Sequence, residues 1–149
     1  MSIGLLPRTR PLLRAYMDRL GLDDSVLRED GRLRLRVDGC HGVDLLPVPG
    51  GGLVLLSDLA ALSSWPRGHA DDILVHLLEM ATGLLRDHAS SLAIDADRYR
   101  LQLQQVLPPQ ASVDDVEQAL AGFLNLLPFW SQTCRQELES LSRSPWGIR

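Results

Sequence analysis

The chain has 149 residues and a formal net charge of −4; its 15 basic residues are all arginine, and its 31 leucines are about a fifth of the total. Length and an apolar content of 45% favour one domain over residues 1–149 with a real core and exclude disorder. The acidic balance argues against nucleic-acid binding, which needs a basic face.

The first helix is expected from about Pro11 to Leu20, with Thr9 as cap and Pro11 in the first turn. Leu12, Leu13, Tyr16, Met17 and Leu20 share one face, and Gly21 supplies the stop. After the turn signal Glu29-Asp30-Gly31 the period becomes two. Arg32, Arg34 and Arg36 alternate with Leu33, Leu35 and Val37, as in a strand with one solvated face. Asp38 to Gly42 turns the chain into a second strand near Val43 to Val48. Gly50-Gly51-Gly52 marks the next turn, before a third strand at Leu53 to Leu56. That third strand is apolar on both faces, so both should be covered. Ser57 to Ala70 reads as a connector broken at Trp65-Pro66.

Asp71-Asp72 opens a second helix reaching about Leu85. Its apolar residues span roughly 160° of the wheel, more than the ~100° of a simple amphipathic helix, so one flank should meet its own sheet and the other a second surface. Ser90 to Asp95 reads as strand four, with Leu92 and Ile94 on one face. Strand five, Tyr99 to Leu107, sets Tyr99, Leu101 and Leu103 opposite Arg100, Gln102 and Gln104. Ser112 to Asp115 resembles a capping box with Asp for Glu. The stripe Val113, Val116, Leu120, Phe123, Leu124, Leu127, Trp130, Cys134, Leu138 and Leu141 stays in phase past Pro128. It predicts one continuous helix bent there. Order is expected over about 10–141, with a loose tail from 142 to 149. The order α-β-β-β-α-β-β-α describes an α+β fold: a twisted antiparallel sheet packed with three helices.

No catalytic constellation emerges. The pairs Asp23-Asp24, Asp71-Asp72 and Asp114-Asp115 suit capping or solvation. His41, His69, His76 and His88 lack metal-ligand spacing, and Cys40 and Cys134 read as free thiols. Gly50 to Gly52 lacks the strand–loop–helix context of a phosphate cradle, and no nucleophile elbow occurs. The expectation is a non-enzyme without metal or cofactor. The Arg32/Arg34/Arg36 ladder is either a solvated strand face or a contact for an acidic partner. No signal-peptide pattern opens the chain and no stretch has spanning length, which suggests a soluble cytoplasmic protein. Strand three, the wide second helix, Phe129, Leu126 and Trp146 leave apolar surface in excess, the mark of a binding site.

Several features together resemble the class I chaperones of bacterial type III secretion, the Tir-chaperone-like family. They are the small acidic chain, the element order, and an opening of helix, Leu20-Gly21-Leu22 and Glu29-Asp30-Gly31. Leu92-Ala93-Ile94-Asp95 and Arg100-Leu101-Gln102-Leu103, followed by a long late helix, complete the set. The likeness covers about Leu12 to Leu141. It implies a homodimer joined through the second helix and adjoining sheet: here Ile73, Leu77, Leu78, Ala81, Leu84, Leu92 and Ile94. It also implies a bound effector segment, placed here on Leu13, Met17, Arg34, Leu46, Val54 and Leu56, with no nucleotide or metal. A regulatory adaptor of the same fold is the alternative. The connector at 57–70, Pro128 and the tryptophan-bearing tail have no counterpart in that likeness.

Overall fold

A computed structural model describes residues 11–37, 41–66, 68–84 and 89–142. Eight elements follow in order: α1 (Pro11–Leu20), β1 (Leu33–Val37), β2 (His41–Pro47), β3 (Leu53–Ala61), α2 (Ala70–Leu84), β4 (Ser91–Asp95), β5 (Arg100–Leu107) and α3 (Val113–Ser142). Short 3-10 turns add residues 24–26 and 62–64. This is the expected α+β order. The Thr9 cap, Cys40, Leu85, His88 and the tail from residue 143 lie outside the described residues.

Local chemistry ends the helices where the sequence indicates. Gly21 takes φ +73°; the Leu22 N–H donates to Met17 O at 2.9 Å and the Gly21 N–H to Asp18 O at 3.2 Å. This is a Schellman stop, which needs the left-handed conformation glycine adopts freely. At α3 the Asp115 N–H donates to Ser112 Oγ at 3.1 Å, while the Ser112 N–H donates to Asp115 Oδ2 at 2.9 Å. The capping box therefore forms with aspartate. Asp23 caps the 24–26 turn by accepting from the Ser25 N–H. α3 runs unbroken through Pro128; Pro128 is exposed, so the backbone bond it cannot make lies on the solvated side.

The five strands form one antiparallel sheet ordered β1-β2-β3-β5-β4. Opposed residues share a face, so the register divides the sheet. One face carries Leu33, Leu45 and Leu55 in one row, with Val43, Leu53, Leu101, Leu103 and Leu92. These residues are buried in one hydrophobic cluster. From α1 it takes Leu12, Leu13, Tyr16 and Met17, and from α3 Val116, Phe123, Leu127, Trp130 and Cys134. Each such side chain contributes roughly 1.5–3 kcal/mol. Arg19 ties the end of α1 to the start of α3 through Asp114 at 2.6 Å and Glu117 at 3.0 Å. α2 lies along β4, burying Ile73, Leu77 and Ala81.

Three expectations need correction. β3 extends to Ala61 instead of ending at Leu56. The first residues of the supposed connector, 57–61, are strand, because β5 gives them a partner across a bulge between Asp58 and Ala60. Both faces of β3 are not covered: Leu53 and Leu55 are buried, whereas Val54 and Leu56 are half-exposed and outside the core cluster. Tyr99 is not on the apolar face of β5; it precedes the strand at φ +53° and is exposed. On the opposite face of β5 Gln102 is buried, donating from Nε2 to Asp58 at 3.0 Å.

Candidate functional site

The second face of the sheet meets no part of the hydrophobic cluster. Its first row is Leu46, Val54 and Val106; the next is Arg34, Asp44, Leu56, Gln104 and Ser91. Leu46, Val54 and Leu56 are half-buried, and Val106 is 61% exposed. An aliphatic strip thus crosses the middle of an otherwise polar surface, where a single chain would place polar residues.

The strip is flanked by an ordered charge network. Asp44 is buried on β2 and accepts from Arg34 Nε at 2.6 Å, Arg34 Nη2 at 2.8 Å and Arg32 Nη1 at 2.7 Å. Burial pushes the Asp44 carboxyl up, but the hydrogen bonds and charges of Arg34 and Arg32 outweigh it and hold it below the ordinary range. Beyond Asp44, Arg98 donates to Asp58 at 2.9 Å and to Asp95 at 2.9 Å. A pocket of about 210 Å³ lies between these groups, bordered by Arg34, Gly42, Asp44, Leu56, Asp58 and Gln102. Arg32 and Arg34 are therefore not a freely solvated ladder: an acid on the neighbouring strand engages both. The sequence does carry the signal, an aspartate within an apolar strand, but only the register sets it opposite Arg34.

The other implied effector-binding residues divide. Leu46, Val54, Leu56 and Arg34 come together on the open face. Leu13 and Met17, each 1% exposed, lie in the chain's own core, where a partner would have to displace α1 to reach them. The implied dimer residues also divide. Ile73, Leu77, Ala81 and Leu92 are buried within one chain and Leu84 is half-buried, whereas Leu78 and Ile94 are exposed, as is Val75. Val75 and Val106 were not anticipated. Both are exposed aliphatic residues on elements with an apolar buried side, which periodicity alone does not separate from core.

Two of the three acidic pairs act through visible bonds: Asp23 and Asp115 cap, Asp24 pairs with Arg14, and Asp114 pairs with Arg19, while Asp71-Asp72 lie in the first turn of α2. Burial pushes the Cys134 thiol up to about 11, with the Glu137 charge adding to the effect, which suits a core residue and not a nucleophile. Among the described residues no helix is long and apolar enough to cross a membrane and no group of side chains is arranged to hold a metal.

The Tir chaperone protein (CesT) family model matches residues 11–131, which span α1, the whole sheet, α2 and most of α3. The chain belongs to the CesT family. A chain from the crystal structure of the ExsC–ExsE complex is 25% identical, with TM-score 0.61, covering 82% of this chain and 90% of that one. A chain of the HopA1–SchA chaperone–effector complex is 20% identical, with TM-score 0.61, covering 82% and 91%. A chain of the ExoU–SpcU complex from the type III secretion system of Pseudomonas aeruginosa is 19% identical, with TM-score 0.58, covering 79% and 93%. The last two likenesses concern the fold alone. No curated protein matches in sequence.

Proposed function

We propose that this CesT-family chain is a type III secretion chaperone that binds the N-terminal region of one or more effectors and keeps it secretion-competent. It acts without catalysis, as a cytoplasmic homodimer of one-domain protomers. The reading rests on family membership joined to one observation: an aliphatic strip, Leu46, Val54, Leu56 and Val106, that the chain's own helices leave uncovered. Solved complexes of the same fold include one described as chaperone–effector. Capture works by burying apolar client segments on that strip, which blocks their premature collapse or aggregation.

The dimer seam is assigned to the outer flank of α2 and the end of β4. Leu78 and Ile94 are exposed there, and Leu77, Ile73, Ala81, Leu84 and Leu92 support them from within. Light scattering after size exclusion should give about twice the 16.5 kDa chain mass, and Leu78→Glu should give monomer with unchanged circular dichroism. A monomeric wild type at micromolar concentration would overturn the dimer. Co-expression with the N-terminal segment of an effector encoded beside this chain should yield a soluble co-eluting complex, lost in Val54→Arg. Failure to co-elute would overturn the chaperone reading.

A further inference from the structure

Next to the aliphatic strip, where the loop after α1 meets the open face, lies a concavity of about 670 Å³. Its lining holds four guanidiniums, Arg28, Arg32, Arg34 and Arg98, against two carboxylates, Glu29 and Asp30. This is a basic lining in a chain whose acids outnumber its arginines nineteen to fifteen.

The arginines are held in place from behind. Asp44 fixes Arg32 and Arg34, Asp30 takes Arg32 Nε at 2.7 Å, and Asp58 and Asp95 fix Arg98. Those carboxylates spend their charge on the network but use only part of each fork. Arg32 Nη2, Arg34 Nη1, Arg98 Nη1 and the whole Arg28 guanidinium find no acceptor among the described residues. A fork already ordered by one carboxylate loses little freedom on binding a second.

We propose that this concavity selects client segments in which an acidic side chain lies close to aliphatic ones: the carboxylate enters among Arg28, Arg32, Arg34 and Arg98 while its neighbours cover Leu56, Val54 and Leu46. The inference deepens the chaperone reading and rests on it. It assigns the strip to affinity and the arginine basin to selection. An aliphatic segment carrying lysine meets the Arg28 guanidinium and the outward N–H groups of the other three arginines, and is disfavoured.

The test is selection of phage-displayed random dodecapeptides on the full-length protein, followed by fluorescence anisotropy with a synthetic copy of an enriched peptide. Enriched peptides should combine aliphatic residues with Asp or Glu, and replacing that acid by its amide should weaken binding about tenfold. Arg28 has no side-chain partner among the described residues, so Arg28→Glu should fold normally. It should weaken binding by about the same factor, with Arg28→Lys recovering much of the loss. Arg135→Glu on α3 should have no effect, and added salt should weaken only the acidic peptide. Aliphatic peptides with no acidic preference would overturn the selection role and leave capture intact. Absence of aliphatic enrichment would overturn capture, and this inference with it. Competition by inorganic phosphate as effective as by the peptide would overturn it too, marking a site for free anions.

Discussion

Asp44→Asn removes the charge that orders the open face while keeping the shape of the side chain. Asp44 has 8% side-chain exposure and accepts three charge-assisted hydrogen bonds, whereas Arg32 and Arg34 retain 23% and 39%. Breaking a fully buried pair costs about 3–5 kcal/mol. Here the stranded guanidiniums can turn towards water, which reduces the expected loss to about 2 kcal/mol. For a domain of this size that is a fall in Tm of about 4–8 °C. The assay is urea unfolding at neutral pH and one protein concentration, because the proposed dimer would make stability concentration-dependent; the m-value should not change. A cycle with Arg34→Gln should give a coupling above about 1 kcal/mol.

The pH dependence of the same pair has a definite sign. The folded pKa of Asp44 lies below its ordinary 3.8, so its contribution is complete above 3.8 and is lost as pH falls through the folded value. The gap between wild type and Asp44→Asn should be flat near neutrality and close in acid. A loss below about 0.5 kcal/mol, or a gap that persists in acid, would refute the claim that the pair orders this face.

Two further outcomes test the fold. A Cβ on Gly52 would lie 2.6 Å from the Leu107 carbonyl oxygen, a backbone atom of the paired strand that cannot retreat. Gly52→Ala should therefore destabilise by more than about 2 kcal/mol. Gly50→Ala, with open space but φ +95°, should lose only about 1 kcal/mol, from backbone strain. His76 Nδ1 lies 2.9 Å from Glu137 Oε1, linking α2 to α3. That hydrogen bond, the Glu137 charge and a smaller pull from Glu79 raise the imidazole pKa above its ordinary 6.5. The link is then complete below 6.5 and lost as pH rises through the raised value. An NMR titration should place His76 above 6.5 and move it down in Glu137→Gln; an unshifted His76 in wild type would refute the link.

Features set by neighbouring residues were legible in the sequence. The α1 stop needs only Gly21 after an amphipathic turn. The α3 cap needs only Ser112 and Asp115, and the phase of the α3 stripe across Pro128 already describes one helix. The number, order and type of the elements follow from such short-range periodicity, and so does the family resemblance. What depended on register and docking was not legible. An apolar strand reads the same whether or not a helix covers it, so Val54 and Leu56 could not be distinguished from Leu53 and Leu55. A wide helical stripe does not say which flank meets its own sheet; docking buried Ile73 and Leu77 and left Leu78 outside. Leu13 and Met17 read as possible groove and became core because α3 closed over them. Asp44 and Arg34 are ten residues apart, and only antiparallel pairing of β1 with β2 makes them partners. Local sequence determined the elements, because caps and periods act over a few residues; the tertiary structure decided which faces remain open, because that depends on contacts the chain makes with itself at long range.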